Sequence, residues 1–171
     1  PRVLNIADKA LSAVLVSGDK EALERVMKVH LAASSSTMAQ AAELKLKEVN
    51  VMEASIWASM HSGEAEAMVG AIEGADPIWL PELIAGAQKV LGKVASADAA
   101  IKTAIASRDR LHLEEVARVH ITQASPSMAE AVRLSLIEQA ENAIQTVFVT
   151  GDRDALKQAA AAHLKFCGRP M

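Results

Sequence analysis

The stretch Ser17-Gly18-Asp19-Lys20-Glu21-Ala22-Leu23 decides the fold, because its opening triplet returns as Ser62-Gly63-Glu64, Ser107-Arg108-Asp109 and Thr150-Gly151-Asp152. The central residues of these triplets are 45, 45 and 43 positions apart. Apolar residues keep phase around them. Leu11, Ile56, Ile101 and Ile144 form one column, and Leu15, Met60, Ile105 and Phe148 a second. Leu4, Val49, Val94 and Ile137 form a third, and Leu23, Met68, Leu113 and Leu156 a fourth beyond the triplet. Further punctuation falls at Ser36-Thr37-Met38, Pro81-Glu82-Leu83 and Pro126-Ser127-Met128, again 45 residues apart. A period of this size belongs to helical repeats rather than to strands or blades.

Each period has a physical reading. Apolar residues at helical spacing, such as Leu91, Val94, Ile101 and Ile105, predict a long helix before each triplet. Glycine in the triplet suits the left-handed position that closes a helix, and the acid after it caps the next one. Arg108 stands where the other three triplets have glycine, so a strained left-handed residue is expected there. A shorter helix follows, then Ser or Pro opens the next long one. The expected fold is therefore all-α, with four tandem antiparallel helical hairpins of about 45 residues stacked as a short α-solenoid or a curved helical bundle. Turns are predicted at Gly18, Gly63, Arg108 and Gly151, and long helices near 37–61, 80–106 and 127–149. The units run over about 1–35, 36–79, 80–125 and 126–169 of a single helical-repeat domain. Pro1 falls level with Leu46, Leu91 and Leu134 inside the long helix, so a longer parent chain is expected.

Composition agrees with helices and narrows the partners. The 171 residues are 51% hydrophobic and only 2% aromatic, and about a fifth are alanine, the best helix former. Eighteen basic against 21 acidic residues give a net charge of −3, with both signs interspersed. That pattern lacks the basic stripe of a nucleic-acid binder. Mean hydropathy is +0.17, yet the longest run free of charged residues, Val29–Ala42, is 14 residues long and too polar to span a bilayer. The lone Cys167 suits a reducing compartment, so an intracellular, cytoplasmic location is expected.

Three kinds of residue stand out as candidate binding positions. His30, His120 and His163 each fall 11 residues after the acid of a triplet, at the end of a short helix. There an imidazolium meets orphan carbonyls and the negative end of the helix dipole. Equivalent positions in stacked hairpins are about 10 Å apart, too far for shared chelation, so no metal is expected. Asp8, Glu53, Asp98 and Glu141 occupy one column in the middle of an apolar stripe, where a carboxylate must find a donor. Their expected state is buried and hydrogen-bonded; four exposed acids would instead suit a cationic partner. Trp79, in Asp76-Pro77-Ile78-Trp79-Leu80-Pro81, is the candidate surface anchor. Its alternative is packing over the end of a neighbouring hairpin.

Gly18-Asp19…Ala22…His30-Leu31 and Gly151-Asp152…Ala155…His163-Leu164 resemble the closing helix of the effector domains in GntR-type transcription regulators. That resemblance implies metal ligation by such a histidine, although the family's upstream Asp and Phe-His pair are missing from this chain. Nucleophile elbows, phosphate loops and paired cysteines do not occur. The expected function is thus a non-catalytic scaffold or protein-interaction segment, without cofactor, whose partner is another protein or a neighbouring domain of the same chain. The alternative is an all-helical receptor for a small apolar ligand held between hairpins, with histidine-linked pH or metal dependence.

Overall fold

The computed structural model describes residues 2–167. Eight α-helices account for nearly all of them: α1 (Arg2–Ser17), α2 (Lys20–His30), α3 (Ser36–Ser62), α4 (Ala65–Glu73), α5 (Pro81–Ser107), α6 (Arg110–His120), α7 (Pro126–Thr150) and α8 (Arg153–Cys167). No strand occurs among the described residues. No helix among them is long and apolar enough to cross a membrane. The long helices start and stop within one residue of the sequence expectation.

Each break between a long and a short helix falls on a residue with positive φ. Gly18, Gly63 and Gly151 have φ of 72°, 70° and 72°, and Arg108 takes the same conformation at 57°. The residues on either side supply the hydrogen bonds. The hydroxyls of Ser17, Ser62 and Ser107 donate to the carbonyls three residues back, at 2.7–2.9 Å. Asp19 Oδ1 then accepts from the Ala22 N–H at 2.8 Å, and Asp109 Oδ1 accepts from Leu111 and His112 at 3.0 and 3.2 Å. Asp152 repeats the cap on Asp154 and Ala155. Such a cap stabilises a helix start by about 1 kcal/mol.

The chain divides into two compact units, one of residues 1–62 with 66–91 and one of 63–65 with 92–171, so that the boundary falls within α5. In the first, α1 packs on α2 and α3, and α2 on α3. Its core holds Leu11, Leu23, Val49 and Ile56, all fully buried, with Trp79, Leu80 and Ile84 closing over them. In the second, α6 and α8 pack on α7. Ile101, Leu113, Val132 and Leu136 form its core. Burying each such aliphatic side chain contributes about 1.5–3 kcal/mol. Fully buried Ala42, Ala87 and Ala104 show why alanine is so common: a larger residue at these points would hold the backbones apart.

The fourth period departs from the other three. Phe148 is 74% exposed, whereas its column mates Leu15, Met60 and Ile105 are half-buried. Ile144 and Leu156 are half-buried, against complete burial of Leu11, Ile56, Ile101, Leu23, Met68 and Leu113.

Candidate functional site

The acid column resolves into two chemistries. Asp8, on α1, accepts the Ser35 N–H at 2.8 Å. Asp98, on α5, accepts the Ser125 N–H at 2.8 Å and the Ser125 hydroxyl at 2.7 Å. Both contacts span 27 residues, and the two lie ninety residues apart in the chain. Each ties one long helix to the start of the next. Ser125 is the N-cap of α7, and its hydroxyl also accepts from the Met128 N–H at 3.3 Å. The carboxylate sits where the positive end of the helix dipole favours a negative charge. Ser127, two residues on, donates its N–H and hydroxyl to Glu64 at 3.0 and 2.8 Å.

The two glutamates of the column behave differently. Glu53 pairs with Lys20 at the head of α2, both side chains being partly exposed. Glu141 is exposed. Two acids are therefore hydrogen-bonded as expected but only half-buried, one forms a partly screened ion pair, and one faces solvent.

Trp79 is not the exposed anchor its loop position suggested. It is 6% exposed and belongs to the core of the first unit. The reason lies in the loop itself. The Asp76 carboxylate accepts from the Ile78 N–H at 3.0 Å, and the Asp76 carbonyl accepts from the Trp79 and Leu80 N–H groups. This turn folds the indole back over α3. Lys45 Nζ lies 5.5 Å from the ring centroid and 3.5 Å from Asp76 Oδ2, within reach of a cation–π contact. Gly18 admits the loop, because a Cβ there would stand 2.3 Å from Ile78 Cγ2.

His30 and His120 close α2 and α6, half-buried, each in a last turn that also carries Lys28 or Arg118. The side chain of His163 lies outside the described residues. Among the described residues, no three His, Cys, Asp or Glu side chains cluster closely enough to hold a metal ion. The resemblance to the GntR-type effector helix is thus not accompanied by a ligand set around His30. On α7, the exposed Glu130 carboxyl is held below its ordinary range by the hydrogen bond from Arg133.

Two of the surface depressions bear on function. One of about 530 Å³ opens beside α3, lined by Leu44, Lys45, Val51, Met52 and the Gly74–Asp76 backbone stretch. Leu44 and Val51 are 60% and 62% exposed. The other, of about 750 Å³, lies in the second unit between the α5–α6 turn and α7, with Arg108, Arg110, Glu138, Gln139 and Asn142 on its walls. The sequence reading passed over this second site. Its only trace there is the arginine that replaces a turn glycine.

Comparison with protein-family models, with curated proteins and with solved structures finds no match for this chain.

Proposed function

We propose that the chain is an array of α-hairpin repeats that serves as a scaffold or protein-interaction surface, without catalysis. The observation that carries this reading is the recurrence of the Asp8–Ser35 clasp as Asp98–Ser125, with the same span of 27 residues and the same 2.8 Å contact. A polar staple that returns after two periods supports an array, because it ties α1 to α3 and α5 to α7 where two helices alone cannot bury their apolar stripes. The walls of such arrays recognise other chains. The α3 depression fits that use, with Leu44 and Val51 exposed beside Lys45 and Asp76. The α3 depression is open rather than enclosed, which favours a partner surface over a receptor that engulfs a small apolar ligand.

A photo-reactive amino acid placed at Val51 tests this reading in cells. A discrete protein crosslink that disappears with Leu44→Glu, and is not formed from a probe at Glu141, is the expected result. Failure to crosslink from Val51, together with a small apolar molecule co-purifying in native mass spectrometry, would replace the scaffold by the receptor.

A further inference from the structure

The three short helices whose last turns are described do not end alike. α2 closes with Lys28 and His30, and α6 with Arg118 and His120, so each sets basic side chains on its own negative end. α4 has no base in its last turn. Forty-five residues from both Lys28 and Arg118 stands the exposed Glu73, and forty-five from both His30 and His120 stands Ala75. α4 also stops two residues early in the period. Gly74 follows its last residue and Pro77 comes soon after, which breaks the helix where α2 and α6 run on to their histidines.

This bare helix end forms one wall of the α3 depression. The Gly74 N–H donates to the Gly70 carbonyl at 3.1 Å and the Ala75 N–H to the Ile72 carbonyl at 3.2 Å. The facing wall is α3. Leu44, Glu48 and Val51 follow there at i, i+4 and i+7, so an acid stands between two exposed aliphatic side chains along about 10 Å of helix. Lys45 is already engaged: its ammonium is 3.5 Å from both Glu48 and Asp76, and it lies over the Trp79 ring. Lys47, the other cation of the lining, also borders a neighbouring hollow with Met27 and Leu46. At the α4 end, Glu48, Asp76, the adjacent Glu73 and the negative pole of a helix thus share the single ammonium of Lys45, next to an apolar floor.

We propose that this depression takes a segment of a partner protein in which a lysine or arginine neighbours a large apolar side chain. The base meets the end of α4 beside Glu73 and Glu48, and supplies from outside what Lys28 and Arg118 supply within their own helices. The apolar neighbour covers Leu44 and Val51. This inference rests on the interaction reading above, at the same surface, and adds the chemistry of the partner.

The test is selection of a random heptapeptide display library on the immobilised full chain, followed by titration of the selected synthetic peptides in solution. The expected sequences pair Lys or Arg with a bulky apolar residue. Glu73→Lys gives α4 the base that its period lacks. It should weaken the peptides about fivefold or more while the thermal midpoint stays level or rises. Glu141→Lys, the same change of charge at an exposed position on α7, should leave them unaffected. A merely structural role for Glu73 could not give weaker binding and undiminished stability together. No enrichment, an acidic consensus, or peptides that bind Glu73→Lys as well as the parent chain would overturn the proposal. Competition by free lysine amide at the peptides' own concentrations would overturn it too, in favour of a small-molecule site. The crosslink from Val51 keeps the two readings apart. If it is lost with Leu44→Glu but survives Glu73→Lys, the protein surface stands and the basic partner falls.

Discussion

The loop that leads into α5 and the loop that leads into α7 hold the same place in the 45-residue period, and they secure their helices by different means. Before α7, buried Ser125 hands its N–H and hydroxyl to Asp98 and caps the helix. Before α5, the equivalent position is Leu80, which has nothing to donate from its side chain, and the loop instead buries Leu80 and Trp79 in the core. The acid that would have received a serine, Glu53, turns to Lys20. A sequence period therefore fixes where a helix begins and ends without fixing what holds it there. The chemistry alternates over ninety residues, with the clasp in the first and third periods and a plug in the second.

Trp79→Ala should show the largest effect, because it removes the plug. A buried tryptophan truncated to alanine costs about 3–5 kcal/mol. Denaturant unfolding would read it, with Phe148→Ala as the control: that ring is 74% exposed and its loss should change stability by no more than about 0.5 kcal/mol. Equal effects would mean that the loop is not a structural element. Gly18→Ala attacks the plug from the other side. The new methyl would meet Ile78 Cγ2 at 2.3 Å and the Ile78 carbonyl oxygen at 2.7 Å, in a left-handed backbone. Strain and overpacking together predict a loss of about 2–4 kcal/mol.

The clasp should be less costly to break, and asymmetric with its glutamate counterpart. Asp98→Leu leaves the N–H of Ser125, a residue 2% exposed, without its acceptor. That predicts a loss of about 1–3 kcal/mol in thermal or chemical unfolding. A leucine there would be tolerated only if the donor could reach water, and burial of Ser125 removes that condition. Glu53→Leu should instead change stability by less than about 1 kcal/mol, because Lys20 keeps 24% of its side chain in solvent and can hydrate its ammonium. If both leucines were tolerated alike, the distinction between clasp and plug would fall.

How much of this was legible depends on whether the signal is local. The turns were, since a left-handed residue flanked by Ser and Asp is specified within three positions, and Arg108 betrayed itself by standing in a glycine column. The acid column was only half legible. A period-by-period alignment shows four acids, but the useful pattern is Asp with Ser 27 residues later, present at 8/35 and 98/125 and replaced at 53/80 by Glu and Leu. Trp79 was left between anchor and packing because the receiving surface lies on α3 and at Gly18, distant in sequence. The depression beside Arg108 was invisible for a related reason: its walls come from the α5–α6 turn and from α7, which are distant in sequence.

The smallest expected effect separates the four turns from one another. Arg108 and Gly151 share a left-handed backbone, at φ 57° and 72°, and a Cβ at Gly151 would meet nothing within 4 Å. A Cβ is therefore accommodated at both positions, and backbone preference decides the cost. Gly151→Ala should lose about 1–2 kcal/mol from left-handed strain alone. The reverse change, Arg108→Gly, should recover a similar strain but also give the unfolded chain more freedom, which offsets about 0.4–1 kcal/mol of the gain. The net prediction is a rise in stability of no more than about 1 kcal/mol, a shift of a few degrees in a scanning calorimeter at most. A clear fall in the midpoint of Arg108→Gly would mean that the arginine side chain itself holds the turn together, and that its place in the glycine column is structural rather than a concession to the cavity it lines.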